Sequence, residues 1–231
     1  MTSTATPIAP VDVPDLWFEL PPGFMEFDLA EDSEARVLRM ADVADGLFAD
    51  ATPEQKLSLV ASSEYILQTM IAAGAEHVSS CLLRMPGDQL SQGTFYVMIE
   101  RPEAGPRNQD RQGAAKRTAV QWRGLYPDAE VGLVMLPYGI SALCIRDQDL
   151  LIPGVLLGLD DPVPATVRQV QFCLPLKTGP GSALFVFMTQ DIEHWAEYLD
   201  VLSGIMKSVS ADEPSGERLP EAWVPHRGGT E

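Results

Sequence analysis

Gln169-Val-Gln-Phe-Cys-Leu-Pro175, then Ser182-Ala-Leu-Phe-Val-Phe-Met-Thr189, then Asp191 to Val209 decide how this chain is read. In the last stretch, at about 100° per residue, Ile192, Trp195, Leu199, Leu202 and Met206 fall on one stripe. Glu193, Glu197, Asp200 and Lys207 lie opposite. An amphipathic helix is expected from Asp191 to Val209, with Asp191 serving its first turn and Lys207 its last. Ala183 to Met188 is short, apolar and aromatic, and lies between turn residues. It reads as a strand covered on both faces, near the middle of a sheet. Trp195 and Tyr198 read as core residues.

Working outward, the remaining elements follow from turn and cap signals. Leu16–Leu20 and Phe24–Leu29 read as two short strands around Pro21-Pro22-Gly23. A helix is expected from about Ser33 to Phe48. Thr52-Pro53-Glu54-Gln55 is a capping box with proline at the first helical position, and it opens a helix that ends at Gly74. Strands are expected at His77–Met85 and Gly93–Arg101, joined through Pro86-Gly87-Asp88. A helix at Arg111–Leu125 comes next, then strands at Glu130–Leu136, Gly139–Arg146, Thr166–Leu174 and Ser182–Thr189. Asp147–Pro164, with its prolines and glycines, reads as an irregular crossing over one sheet edge. The expected fold class is α+β: a largely antiparallel sheet of about six to eight strands with helices on both faces. Residues 1–14 are expected to be disordered, 15–210 to form one domain, and 211–231 to form a disordered acidic tail.

Charge and composition narrow the function classes. The chain has 231 residues, a net charge of −17 and 45% hydrophobic residues. Such acidity argues against binding nucleic acid or docking on anionic membranes. It is unevenly spread: residues 1–60 carry twelve acids and three bases, whereas residues 101–124 carry six bases and two acids. Cys81, Cys144 and Cys173 sit in apolar runs without metal or redox spacing. They read as buried free thiols in a reducing compartment, so a cytoplasmic location is expected. No signal peptide or membrane span is read, and the excess of arginine over lysine points to a bacterial source.

Few residues point to chemistry. His77, His194 and His226 share no metal spacing, so no metal and no cofactor are expected. Cys81 lacks the surroundings of a nucleophile. Gly179-Pro180-Gly181-Ser182 precedes a strand and therefore reads as a turn, not as a phosphate loop. Asp147, Asp149, Asp160 and Asp161 read as solvated loop acids. Arg146, Asp147 and Asp149 form the cluster where a small-molecule site is expected, if there is one. The basic set Arg107, Arg111, Lys116, Arg117 and Arg123 is scattered on a helical projection rather than forming a stripe and reads as a solvated helix face. The alternative is a contact for an acidic partner, with Lys116 and Arg123 projecting on the outer side of the helix. Net charge favours instead a basic partner on Glu31, Asp32 and Glu34.

The opening Leu20-Pro21-Pro22-Gly23-Phe24, the aromatic final strand, and Trp195-Ala-Glu-Tyr198 with Ile205-Met-Lys-Ser208-Val209 resemble the PsbP-like fold, which LpqN-type lipoproteins share. The resemblance implies an α/β/α sandwich and an accessory or partner-binding role, with no catalytic residues to carry over. This chain departs from those lipoproteins in showing no signal sequence and no lipidated cysteine. The expected function is a non-enzymatic accessory or protein-interaction module with an unidentified protein partner. The alternative is a small-molecule binder or enzyme with its site near Arg146–Asp149.

Overall fold

Side-chain caps set three of the helix starts. Asp32 accepts from the Ala35 amide at 3.0 Å and opens α1 (Ser33–Leu47). Thr52 and Gln55 cap each other's backbone amides, at 3.3 and 2.9 Å, and open α2 (Pro53–Ala72). Just past α2, Gly74 takes φ 88°, a left-handed value that glycine adopts at low cost. Asp110 accepts from the Gly113 amide at 3.0 Å and opens α3 (Arg111–Leu125). The computed structural model describes residues 16–85, 89–101, 110–154, 158–177 and 180–212. Expectations for residues 1–14 and 213–231, for Pro86-Gly87-Asp88, for Arg107 and for Thr178-Gly179 lie outside them.

The strands are β1 (Phe24–Glu26), β2 (Ala75–Arg84), β3 (Leu90–Glu100), β4 (Glu130–Leu136), β5 (Gly139–Ile152), β6 (Val163–Pro175) and β7 (Ser182–Thr189). They form one sheet in the order β1-β2-β3-β7-β6-β5-β4, with every neighbouring pair antiparallel. With α4 (Trp195–Ser208) this makes an α+β fold: a seven-strand antiparallel sheet and four helices among the described residues. Strands β4 to β7 follow one another as a meander, and β7 then pairs with β3, from the first half of the chain.

Side chains alternate along each strand, and the helices select by parity. α4 buries Tyr198, Val201, Leu202, Ile205 and Met206 among Phe95, Val97, Phe172, Phe185 and Phe187. Leu67 and Met70 of α2 pack with Val78, Tyr96 and Met188. Ala119 and Trp122 of α3 pack with Ala142, Cys173 and Leu184. Chain neighbours such as Phe95 and Tyr96, or Phe172 and Cys173, therefore enter different clusters. Beneath α4, Gly93 is required by close approach: a Cβ there would overlap the Phe187 ring.

Four expectations are corrected. Leu16–Leu20 is not a strand: it makes a single bridge, Trp17 to Ser210, and packs Leu16, Phe18 and Leu20 against the core. Asp147–Pro164 is not an irregular crossing, because β5 continues to Ile152 and β6 begins at Val163. Beyond Arg168 and Thr189 these two strands pair only with each other, so Pro164 interrupts no inner ladder. α4 starts at Trp195, and Asp191 instead accepts from the His194 amide at 3.3 Å and from its ring at 2.9 Å. Its buried stripe is turned toward Val201 and Ile205, leaving Trp195 half-buried, because the helix is apolar over a wider arc than its best stripe.

One charged pair is buried between α1 and α2. Arg36 is 2% exposed and Glu64 8%. Arg36 donates twice to Glu64, at 2.9 and 3.2 Å, and once to the Glu31 carbonyl. Ser33 and Gln68 donate to the same carboxylate at 2.6 and 2.7 Å. Burial opposes ionisation of Glu64, but these hydrogen bonds outweigh it and hold the carboxyl below its ordinary value. Glu64→Ala should cost about 3–5 kcal/mol by stranding the Arg36 charge, whereas Arg36→Met with Glu64→Leu should be near neutral. A carboxyl lowered in the folded state stabilises above its unfolded pKa, and that contribution is lost as pH falls through the folded value. Urea melts on an acid series should therefore show a wild-type loss that the double variant lacks.

Candidate functional site

The sequence cluster Arg146, Asp147 and Asp149 lies on β5, and strand alternation divides it. Asp147 stands opposite Arg168 and Asp149 opposite Thr166 on β6. Arg168 grips Asp147 with two hydrogen bonds, at 2.6 and 2.8 Å, and Thr166 donates to Asp149 at 2.8 Å. The Arg168 hydrogen bonds hold the Asp147 carboxyl below its ordinary value. Arg168 also lies 5.7 Å from the Trp195 ring. Both acids are thus cross-strand clamps on the projecting β5–β6 hairpin.

Arg146 points to the other face. Its guanidinium stacks 4.2 Å from the Tyr126 ring and donates to Gln148 at 2.9 Å. Gln169 stands directly opposite on β6 and is 4% exposed. Arg146 Nε and Gln169 Oε1 are both buried and have no hydrogen-bond partner among the described residues. Tyr96 completes the group: burial pushes its hydroxyl up, while Arg146 and a hydrogen bond from Gln169 oppose the rise. Sequence spacing could not bring in Gln169 and Tyr96. Only the pairing of β5 with β6, β6 with β7 and β7 with β3 places them beside Arg146.

Lys116 and Arg123 are exposed on α3, far in character from that polar group. Arg123 donates to the Val131 carbonyl at 3.1 Å, which ties α3 to the outermost strand, β4. Between Lys116 and Arg123 on the same side of the helix is Val120, 65% exposed. On β4, Leu133 and Met135 are 42% and 74% exposed. The available signal for this margin was the charge-free run Val131–Leu136. The acidic alternative is less open: Glu31 is paired with Arg39 at 2.6 Å, and Asp32 caps α1.

Other reactive groups are held in structural contacts. Burial pushes the Cys81 thiol up to about 12, and it raises Cys144 and Cys173 as well. Ser91 is hydrogen-bonded to Tyr198 at 2.5 Å, and Asp191 to His194. An apolar cavity of about 140 Å³ lies between α1, α2 and β2, lined by Met40, Val43, Phe48, Leu59, Val60 and Leu82. Among the described residues no three His, Cys, Asp or Glu side chains gather as a metal set, and no helix is long and apolar enough to cross a membrane. Comparison with known families, curated proteins and solved structures finds no match.

The clamp reading has a direct check. Arg168→Gln should speed amide exchange in residues 146–152 and 163–167 while changing global stability by no more than about 1 kcal/mol. Because Asp147 is lowered in the fold, the clamp is complete at neutral pH and is lost as acid protonates Asp147. Unchanged exchange in the variant would leave the hairpin held by its backbone ladder alone.

Proposed function

We propose that this protein is a non-enzymatic interaction module that holds a protein partner along the α3–β4 margin of its sheet. The observation that carries this reading is β4 itself. It is an outer strand with no charge from Val131 to Leu136, a register without a bulge, and an exposed row of Leu133 and Met135. Outer strands are normally blunted by charge, proline or short length, and an unblunted apolar one invites pairing. The opposite edge, β1, is three residues long. The engagement of Ser91, Asp147, Asp191 and Cys81 in structural contacts favours binding over catalysis. The accessory role implied by the PsbP-like resemblance and a cytoplasmic location belong to the same proposal. Three buried free thiols support the location.

The test is co-purification from the native source. Leu133→Lys with Met135→Lys changes two exposed side chains and should leave the melting midpoint within about 0.5 kcal/mol of wild type. The wild-type partner should be lost from this variant. Equal recovery would remove the margin as the contact.

A second reading is favoured by one observation, the buried and unpartnered Arg146 Nε and Gln169 Oε1 side by side. A small molecule offering one acceptor and one donor, such as a carboxamide, would satisfy both atoms, and so would a single water. Electron density at this point should discriminate. A multi-atom ligand, or a melting shift with small amides that Arg146→Met abolishes, supports a small-molecule site. A lone water peak and no melting shift reject it.

A further inference from the structure

The β4–β5 hairpin fixes which backbone groups of the outer strand face away from the sheet. Leu136 pairs with Gly139 across the two-residue turn Pro137-Tyr138, and such flanking residues exchange hydrogen bonds with each other. Alternation then directs the backbone groups of Val134, Gly132 and Glu130 toward β5, and those of Val131, Leu133 and Met135 outward. The Val131 carbonyl is one of these outward groups, and it is the one Arg123 occupies. The side chains of Val131, Leu133 and Met135 share a parity, and Val131 packs with Ala119 and Trp122 of α3.

α3 returns to β4 through the short link of residues 126–129, so helix and strand run antiparallel. Helical residues advance about 1.5 Å and strand residues about 3.4 Å. With Arg123 level with Val131, Val120 falls about 4.5 Å along, between Gly132 and Leu133, and Lys116 about 10.5 Å along, between Val134 and Met135. The margin therefore reads cation, apolar, cation along its length. α3 carries Arg111, Lys116, Arg117 and Arg123 and no acid. Two acids stand near the Arg123 end, Asp128 in the link and Glu130 on β4. Glu130 has the opposite parity to Val131 and acts on Arg168, and more distant acids are screened over about 8 Å at physiological salt.

Resting on the margin as the contact surface, we propose that β4 receives an extended acidic segment of a partner protein as an eighth strand. Its side chains on the α3 side alternate acid, apolar, acid. The apolar residue packs on Leu133 and Val120, and the acids meet Arg123 and Lys116. Main-chain bonds to Leu133 and Met135 supply the pairing and the side chains supply the choice of segment. Arg123 leaves the Val131 carbonyl, which then accepts from the incoming strand, and turns to the incoming carboxylate. A second copy of this chain suits the margin less well. Pairing β4 with its own copy about Leu133 would set Val131 against Met135, and so bring Arg123 near the other copy's Lys116.

The experiment uses the full chain and two labelled peptides at about 0.15 M salt. One carries Glu, Val and Glu at alternate positions with Thr between them, and the other carries Lys, Val and Lys. Fluorescence anisotropy should show the acidic peptide binding at least about tenfold more tightly. Lys116→Gln with Arg123→Gln should weaken it by about tenfold. Hydrogen exchange at the Leu133 and Met135 amides should slow when it binds. Equal binding of the two peptides overturns the charge assignment while leaving the margin as a contact. Binding without slower exchange at Leu133 and Met135 overturns strand addition. Failure of both peptides at millimolar concentration overturns the proposal, as does a concentration-dependent dimer that Leu133→Lys abolishes. The margin reading itself falls only if the Leu133→Lys, Met135→Lys variant still recovers the native partner.

Discussion

Phe95 and Phe187 stand opposite each other where β3 pairs with β7, and the Tyr198 ring of α4 lies 4.8 Å from Phe187. This seam joins β1, β2 and β3 to the meander of β4 to β7, which otherwise have no ladder in common. Its aromatic side chains are almost wholly buried, so the hydrophobic gain of the fold is concentrated there. Gly93 leaves room for the Phe187 ring, and Ser91 gives the buried Tyr198 hydroxyl a partner. Each half can form hairpins from nearby sequence, but only the seam gives α4 a floor to close on.

From the seam outward, polar groups are used to hold geometry. The Arg36–Glu64 pair locks α1 to α2, where an unpaired charge would be costly, so the pairing specifies one arrangement of the two helices. The Asp147–Arg168 and Asp149–Thr166 pairs clamp a hairpin that runs past the rest of the sheet. Several of the residues that look reactive in the sequence are therefore struts. The Arg146, Gln169 and Tyr96 group differs: there a donor and an acceptor are buried side by side with no partner among the described residues.

The two ends of the sheet are treated differently. β1 is short, and its carboxylate Glu26 meets His77 at 3.2 Å. β4 is longer, free of internal charge, and covered at the Val131 carbonyl by Arg123. Among the described residues no strand pairs with the outer side of β4. Beside it, α3 sets a local row of bases against the general negative charge of the chain.

Local physics was legible in the chain itself. The Thr52–Gln55 box, the bounds of α3, β4 and β7, and the α+β class follow from caps, turns and alternation, which act over a few residues. The extent of β5 and β6 was not legible, because Asp147, Asp149 and Pro164 look like loop residues until Arg168 and Thr166 are placed opposite them. The face of α4 was legible only roughly, since apolar residues surround more of that helix than one stripe. The candidate site was the least legible. Arg146, Asp147 and Asp149 are neighbours in sequence, yet a strand sends Arg146 to one face and the two acids to the other. Arg123 and Val131, or Arg146 and Gln169, become neighbours only through the strand order. Sequence alone therefore determined most of the elements, the Thr52–Gln55 cap and the uneven placement of charge. The tertiary structure decided which polar groups satisfy one another and which strands end the sheet among the described residues, because both depend on register between strands far apart in the chain.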